Sequence, residues 1–207
     1  MEEVLDAYKR PYDSRRPLIC FDERPKQLIA EVREPLRVTQ GRASRYDYEY
    51  RRNGVANLFM MFEPLAGKRH IKVTERRTKK DWAECIKELS DELYPEAEII
   101  VLVMDNLNIH TKASLYEAFE PAEARRLADR LEIHYTPKHG SWLNMAEIEI
   151  SVMSRQCFKA RMGAVFQMEH QAKAWEKHRN ITAIRVDWQF TTEDARIRLK
   201  RLYPSIN

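Results

Sequence analysis

The chain has 207 residues, of which 43% are hydrophobic and 33% are charged, and it carries a formal net charge of +4. This length supports one sizeable domain with its own core, and the balance of apolar and charged residues excludes an intrinsically disordered chain. No apolar run approaches the roughly 20 residues that span a bilayer, so we predict a protein without membrane segments. The mild basic excess is compatible with a polyanionic partner but does not demonstrate one.

Residues 1–17 are polar and punctuated by prolines, which favours a linker or an edge peptide. They also lack the apolar stretch of a secretory signal. The three cysteines, Cys20, Cys85 and Cys157, show no metal-binding spacing and are odd in number. They are typical of reduced thiols, and we therefore expect a cytoplasmic protein.

Residues 18–207 are predicted to form one α/β domain with its elements in the order β-β-β-α-β-α-β-α-α. The first strand is the short apolar run at residues 18–21, and a hairpin with strands at 55–62 and 70–74 follows. The remaining elements, identified from the spacing of their apolar residues, are a helix at 81–93, a strand at 99–104, a helix at 112–130 that breaks near Pro121, a strand at 131–135, a helix from Asn144 and a helix at 168–179.

The run at residues 99–104, IIVLVM, is the most apolar stretch of the sequence and shows no alternation. This pattern is typical of a central strand that is buried on both faces. The hairpin is antiparallel, whereas the later strands are connected through helices and are therefore expected to be parallel. We predict one mixed five-stranded sheet with helices on its faces.

Two of the predicted strands end in an aspartate, Asp22 and Asp105. If these strands are parallel neighbours, their ends lie about 5 Å apart. Two carboxylates at that distance repel each other unless a cation lies between them. Glu147, on a helix near the same end of the sheet, would supply a third oxygen ligand. Three carboxylates suit Mg²⁺ or Mn²⁺, and a pair of such ions can support phosphodiester chemistry.

Each of these acids also has a simpler interpretation. Asp22 and Asp105 could be solvated strand ends, and Glu147 could form a capping box with Asn144 as the N-cap. For any one acid alone we favour the simpler interpretation, and for the three together we favour the metal site.

Four further polar residues lie close to these acids in the sequence. Glu23 and Glu149 are placed outside the site, and on a helix Glu149 is rotated by about 200° from Glu147. Asn106 and His110 could hold the loop after the strand or contact phosphate, and the structural role is the more common one.

Three segments of the chain resemble a known family: residues 20–25 (CFDERP), 103–110 (VMDNLNIH) and 139–147. They are similar to the DDE transposases, and more narrowly to the bacterial insertion-sequence transposases of the IS six-thirty group in the mariner superfamily. Residues 45–53 and 188–196 are also similar, so the resemblance covers nearly the whole chain.

This resemblance implies an RNase H-like fold in which Asp22, Asp105 and Glu147 are the catalytic residues and bind two Mg²⁺ (or Mn²⁺) ions. It also implies cleavage at the terminal inverted repeats of a transposon and joining of the freed 3′-OH to double-stranded target DNA at a TA dinucleotide. A homodimer on DNA and a bacterial, nucleoid-associated protein are further expectations. The alternatives are an RNase H-like nuclease without strand transfer and an inactive remnant that only binds DNA.

Family members usually carry an N-terminal helix-turn-helix region that reads the terminal repeats. Too few residues precede Asp22 for such a module. We therefore expect either the catalytic half of a split product or a truncated remnant.

The candidate DNA-binding residues cluster around the third motif and the helix that follows it. The basic side chains could bind phosphates, with a solvated helix face as the alternative. The tryptophan could stack on a base or anchor the turn as a buried side chain. These candidates are Lys138, His139, Trp142, Asn144, Arg155 and Lys159.

Overall fold

The computed structural model describes residues 1–36, 38–45, 47–138 and 140–202. Its centre is one five-stranded sheet in the order β3-β2-β1-β4-β5. Strand β1 pairs antiparallel with β2 and parallel with β4, and β5 continues the parallel half. The predicted mixed sheet is therefore confirmed. The strands are β1 (Leu18–Glu31), β2 (Tyr50–Glu63), β3 (Lys68–Thr74), β4 (Ile100–Met104) and β5 (Leu131–Tyr135).

Helices cover both faces of this sheet. One face packs against α2, α3 and α4, and the opposite face packs against α1, α5, α6 and α7. None of the helices in the described part of the chain has the length and apolarity that crossing a bilayer would need. The helices are α1 (Glu2–Tyr8), α2 (Lys79–Glu88, continued by a π-helical turn over Leu89–Leu93), α3 (Lys112–Ala118), α4 (Pro121–Asp129), α5 (Met145–Cys157), α6 (Val165–Ile181) and α7 (Thr192–Arg198), with 3₁₀ turns at Ser141–Leu143 and Lys200–Leu202.

Strand β4 is the centre of the core, as its apolar run predicts. All five of its residues are buried, because helices cover the sheet above and below it. Val103 packs on the side of α5, whereas Leu102 packs on the side of α2. The predicted helix at 112–130 is divided into α3 and α4, and the expected break falls where Pro121 begins α4.

Strand β1 is much longer than the predicted run at residues 18–21. Its outer half pairs with the start of β2 as far as Glu31 and Tyr50, with an irregularity between Gln27 and Ile29. Most residues of this extension are partly or fully exposed, so it has no apolar pattern to reveal it.

The segment at residues 1–17, expected to be a linker or an edge peptide, begins with a packed helix. Val4, Leu5 and Tyr8 of α1 are buried against the face that carries α5. The Tyr8 hydroxyl donates a hydrogen bond of 2.6 Å to the carbonyl oxygen of Leu143. A helix of seven residues is too short to show a clear period, which explains why the sequence analysis missed it.

Candidate active site

Asp22 lies within β1, and Asp105 comes directly after β4, the parallel neighbour of β1. The register pairs Leu18 with Val101 and Cys20 with Val103, and the same register continued along both strands brings Asp22 level with Asp105. The predicted adjacency of these strands is confirmed.

Asn144 fixes the start of helix α5 against this end of the sheet. Its Oδ1 accepts a hydrogen bond from the Ala146 N–H (3.1 Å), and its Nδ2 donates one to the carbonyl oxygen of Phe21 (2.8 Å). The predicted N-cap is therefore confirmed, and it ties the first turn of α5 to the residue before Asp22. Glu147 lies in that first turn, and within the described residues its carboxylate takes no hydrogen bond, so no capping box forms there.

The three acids line one cavity of about 250 Å³ at the carboxyl end of the parallel strands. Polar side chains from the loops around it complete the wall. The lining residues are Asp22, Glu23, Arg24, Asp105, Thr136, Ser141, Asn144, Glu147 and Ile150.

In each aspartate, one carboxyl oxygen is held by the protein and the other is left open. Oδ1 of Asp22 accepts from the Glu23 N–H (2.8 Å). Oδ1 of Asp105 accepts from Nδ1 of His110 (2.6 Å) and from the Leu107 N–H (3.3 Å). The described part of the chain provides no hydrogen-bond donor for either Oδ2. Two oxygens are thus available to a ligand in the cavity.

The two aspartates have opposite pKa shifts. Burial raises the pKa of Asp22 to about 7, and the charges of Glu23, Asp105 and Glu147 act in the same direction. The hydrogen bond from His110 lowers the pKa of Asp105. Near neutral pH Asp105 is therefore ionised while Asp22 is partly protonated, and a bound cation would favour the ionised form of Asp22.

His110 favours the ionised form of Asp105 through its hydrogen bond, which lowers the pKa of that carboxyl. Burial disfavours the charged form of the imidazole, but the hydrogen bond to Asp105 and the charge of Glu23 outweigh burial and raise the pKa of His110 to about 9. The imidazole is then a cation between two carboxylates.

The donor chemistry of the cavity fits a divalent cation, although the three carboxylates do not converge. Within the described ranges, no three acidic, histidine or cysteine side chains form a ready-made metal cluster. The hard oxygen donors and the open oxygens of Asp22 and Asp105 nevertheless suit Mg²⁺ or Mn²⁺, and the excess negative charge that helps raise the pKa of Asp22 is charge that a cation would offset. Within the described ranges no hydrogen bond fixes the side chain of Glu147, so of the three acids it is the one free to change its rotamer.

The carboxylates of the two neighbouring acids, Glu23 and Glu149, are paired with basic side chains. The Glu23 carboxylate lies 3.0 Å from Nε2 of His110 and 3.4 Å from Nη1 of Arg77. Glu149 is buried and paired with Arg69 and Arg179.

The basic DNA-binding candidates lie on the surface. Lys138, Arg155 and Lys159 are exposed, and Nη1 of Arg155 donates to Oγ of Ser151 (2.8 Å). His139 lies outside the described residues.

The other two candidates differ from expectation. Trp142 is not a buried anchor: 40% of its surface is exposed, while its ring stacks on Trp188 (6.3 Å between centroids) and meets Phe190 edge-on. Asn144 is only 2% exposed, and its amide oxygen and nitrogen both bind protein partners. Asn144 therefore positions α5, and its assignment as a DNA contact is corrected.

Sequence reasoning undervalued His110 and overlooked Arg24. The sequence shows His110 only as a single polar residue beside a turn, whereas the structure buries it fully against Asp105. Arg24 follows Asp22 by two residues on β1, so the alternation of a strand places both on the cavity side. The sequence predicts that alternation, but it does not predict that the loop after Asp105 folds back so that His110 contacts Asp105.

Comparison with known proteins gives the family and the fold of the chain. The family model described as DDE superfamily endonuclease matches residues 17–168. No curated protein matches the sequence. Three solved structures share the fold: the Mos1 mariner paired end complex with Mn (TM-score 0.56, 13% identity, 87% of this chain and 55% of that chain), the Mos1 strand transfer complex (0.56, 13%, 88% and 57%) and a pre-cleavage Mos1 transpososome (0.55, 12%, 89% and 61%).

At this level of identity the Mos1 structures establish the fold, and the RNase H-like assignment is confirmed. The chain spans between 55% and 61% of the Mos1 chains it matches. The family model covers well over half of the sequence, which confirms the resemblance drawn from the three motifs. The chain therefore belongs to the DDE superfamily endonuclease family.

Proposed function

We propose that this chain is the catalytic part of a transposase that cuts DNA at the ends of a bacterial insertion sequence and joins the freed 3′-OH to target DNA. The grouping of Asp22, Asp105 and Glu147 around one cavity carries the proposal. The Mos1 structures with the same fold, a paired end complex with Mn and a strand transfer complex, support the same chemistry by analogy.

Asp22, Asp105 and Glu147 would hold two Mg²⁺ or Mn²⁺ ions. When bound, such ions activate an attacking oxygen and stabilise the leaving oxygen of a phosphodiester. The hydrogen bond from His110 lowers the pKa of Asp105 and so favours the ionised form that would bind a cation. Asp22 loses its proton more easily once a cation offsets the surrounding negative charge, so protons compete with the metal at this residue.

An open groove beside the cavity is the proposed approach of the DNA. It has a volume of about 360 Å³, and Glu147 lines both the groove and the cavity. Trp142 at one wall has an exposed ring that can stack on a base, and Arg155 at the other can bind a phosphate. Lys138 and Lys159 would extend the contact with the backbone.

The partners and the location of the protein are proposals of the same kind. We propose that the chain acts as a homodimer on double-stranded DNA, with transposon terminal inverted repeats and a TA target as its substrates. Its place is the bacterial cytoplasm, in association with the nucleoid when it is bound to DNA.

Replacing Asp105 by Asn tests the proposed chemistry. Cleavage of DNA that carries matched terminal repeats, in Mg²⁺ and with any missing reader module supplied, should fall by orders of magnitude because a negative ligand is lost. Binding of the same DNA without Mg²⁺ should stay level or rise slightly, since a charge that repels phosphate is gone. Unchanged cleavage per folded molecule would contradict the metal role of Asp105.

A second reaction separates the transposase from a nuclease without strand transfer. The protein is given a precut terminal repeat with a free 3′-OH together with a supercoiled plasmid. Strand transfer gives a covalent joint between the two DNAs, whereas a simple nuclease only nicks the plasmid. Absence of the joint alongside normal cleavage would favour the nuclease.

A further inference from the structure

A chain of charged side chains runs behind the active-site cavity, on the side of the sheet that carries α2. Nη1 of Arg77 lies 3.4 Å from Oε1 of Glu23, and Oε2 of Glu23 lies 3.0 Å from Nε2 of His110. Nδ1 of His110 lies 2.6 Å from Oδ1 of Asp105. The side chains of Glu23 and His110 are 2% and 0% exposed. The side chains of Glu23 and His110 are therefore shielded from solvent.

From this geometry we infer that Glu23 and His110 are positioning residues that set the orientation of the Asp105 carboxylate for metal binding. The inference rests on the proposed function. Asp105 follows the last residue of β4, and its side chain is 46% exposed, so few neighbours restrain it. Besides the Leu107 N–H at 3.3 Å, His110 is the donor that the described residues offer to Oδ1. Holding Oδ1 from behind turns Oδ2 toward the cavity.

Glu23 links both aspartates to one point of the fold. Its backbone N–H donates to Oδ1 of Asp22 (2.8 Å), and its carboxylate faces the imidazole that holds Asp105. Alternation along β1 turns the Asp22 and Glu23 side chains to opposite faces of the sheet, so the two acids do not compete for one ligand. Displacement of Glu23 would disturb both ligands together.

The position of the His110 ring is itself well determined. Phe21 packs edge-on against it, with 5.6 Å between centroids, and the Tyr135 hydroxyl donates to the His110 carbonyl oxygen (2.7 Å). The contact between Nε2 of His110 and Glu23 is close but not aligned as a hydrogen bond, so charge attraction is the main interaction between them.

A purely structural role for His110 is the competing explanation, and two substitutions separate the two. His110→Asn keeps an N–H donor near the position of Nδ1 but loses ring volume. His110→Leu keeps much of the volume but removes both nitrogens. Mn²⁺ affinity is measured by calorimetry on the metal-free chain, together with the melting temperature and the kcat and KM of DNA cleavage.

The positioning role predicts that His110→Leu lowers Mn²⁺ affinity by about 10- to 100-fold, the usual effect of losing a partner that orients a metal ligand. The Mn²⁺ affinity of His110→Asn should stay within a few fold of that of the wild type, even though this variant has a lower melting temperature. Both changes should act on kcat more than on KM. If His110→Leu keeps wild-type Mn²⁺ affinity, or if affinity merely follows melting temperature in the two variants, the inference is overturned.

Glu23→Gln provides a second test that keeps the shape of the side chain. The loss of charge should weaken Mn²⁺ binding, because the imidazole is no longer held toward Asp105. If His110→Leu fails to fold with an unpaired buried Glu23, the double variant with Glu23→Gln removes that charge and gives the same affinity readout.

Asp105→Asn separates this inference from the proposed function. If Asp105→Asn leaves Mn²⁺ affinity unchanged, the proposed metal site is wrong. If Asp105→Asn abolishes binding while the double variant binds Mn²⁺ as the wild type does, the metal site stands and only the positioning role fails.

Discussion

Glu147 and Glu149 lie two residues apart on helix α5 and have opposite environments. Glu149 is 3% exposed, and its carboxylate accepts hydrogen bonds from Nε of Arg69 (2.9 Å) and Nη2 of Arg179 (2.9 Å). Glu147 faces the cavity, and the described residues offer it no hydrogen-bond donor. The helical rotation of about 200° between them places one glutamate in the core and the other at the site.

The contrast shows that a glutamate can stabilise the fold at one position of a helix and be available to a ligand at another. Arg69 also donates to the carbonyl oxygens of Gly67 and Ile184, so the Glu149 cluster joins the β2–β3 hairpin, α5 and the segment after α6. Both carboxylate oxygens of Glu149 accept hydrogen bonds from these arginines, so neither is open to a ligand. Glu147 keeps its oxygens for a ligand.

The largest expected effect is the loss of stability in Glu149→Leu. The substitution leaves two buried guanidinium groups without their carboxylate, and breaking such a pair costs about 3 to 5 kcal/mol. Urea denaturation should show this loss, while Glu147→Gln should unfold within about 0.5 kcal/mol of the wild type. Equal stability of the two variants would remove the distinction between a paired and an open glutamate.

Asp22→Asn should change how stability depends on pH. The folded-state pKa of Asp22 is raised to about 7, so the folded protein binds more protons than the unfolded chain between its ordinary pKa and pH 7, and stability falls as pH rises through this range. The variant lacks this loss. In EDTA it should match the wild type near pH 4 and exceed it by about 1 to 3 kcal/mol at pH 8. A constant difference across pH would place Asp22 in ordinary solvent.

The smallest expected effect concerns DNA binding at the groove. Arg155→Gln should weaken binding similarly for all sequences and reduce the slope of log affinity against log salt by about 0.9, the value for one phosphate contact. Arg125→Gln is the matched control, because Arg125 is an exposed helical arginine paired with Asp129 on α4, across the sheet from α5. A slope that changes equally in both variants would show only a general charge effect.

The sequence predicts the elements with a long or unbroken apolar pattern and misses those that are exposed or too short to show one. Strand β4 is recognisable because a strand buried on both faces is an unbroken apolar run. The hairpin of β2 and β3 is recognisable because its turn needs a positive φ, 68° at Gly67, which favours glycine. The outer half of β1 and helix α1 left no such pattern, since the first is exposed and the second is short.

The candidate site shows the same division. The sequence predicts Asp22 and Asp105 beside each other if their strands are parallel neighbours, which they are, although β1 continues past Asp22 to Glu31. The N-cap at Asn144 follows from residue type. The burial of His110 depends on how the loop after β4 folds back, and a loop has no regular spacing of apolar residues from which its path could be predicted. The pairing of Glu149 with Arg69 joins residues distant in the chain, and only the tertiary fold brings them together.

The most direct measurement of the central claim compares Glu147→Gln with Glu169→Gln in DNA cleavage. Glu169 is an exposed glutamate on α6, outside the residues that line the cavity, so its substitution makes the same chemical change away from the site. With both variants melting within a few degrees of the wild type, Glu147→Gln should lose cleavage in Mg²⁺ by orders of magnitude and Glu169→Gln should retain it. Equal cleavage by the two folded variants would contradict the assignment of Glu147, with Asp22 and Asp105, to the catalytic site.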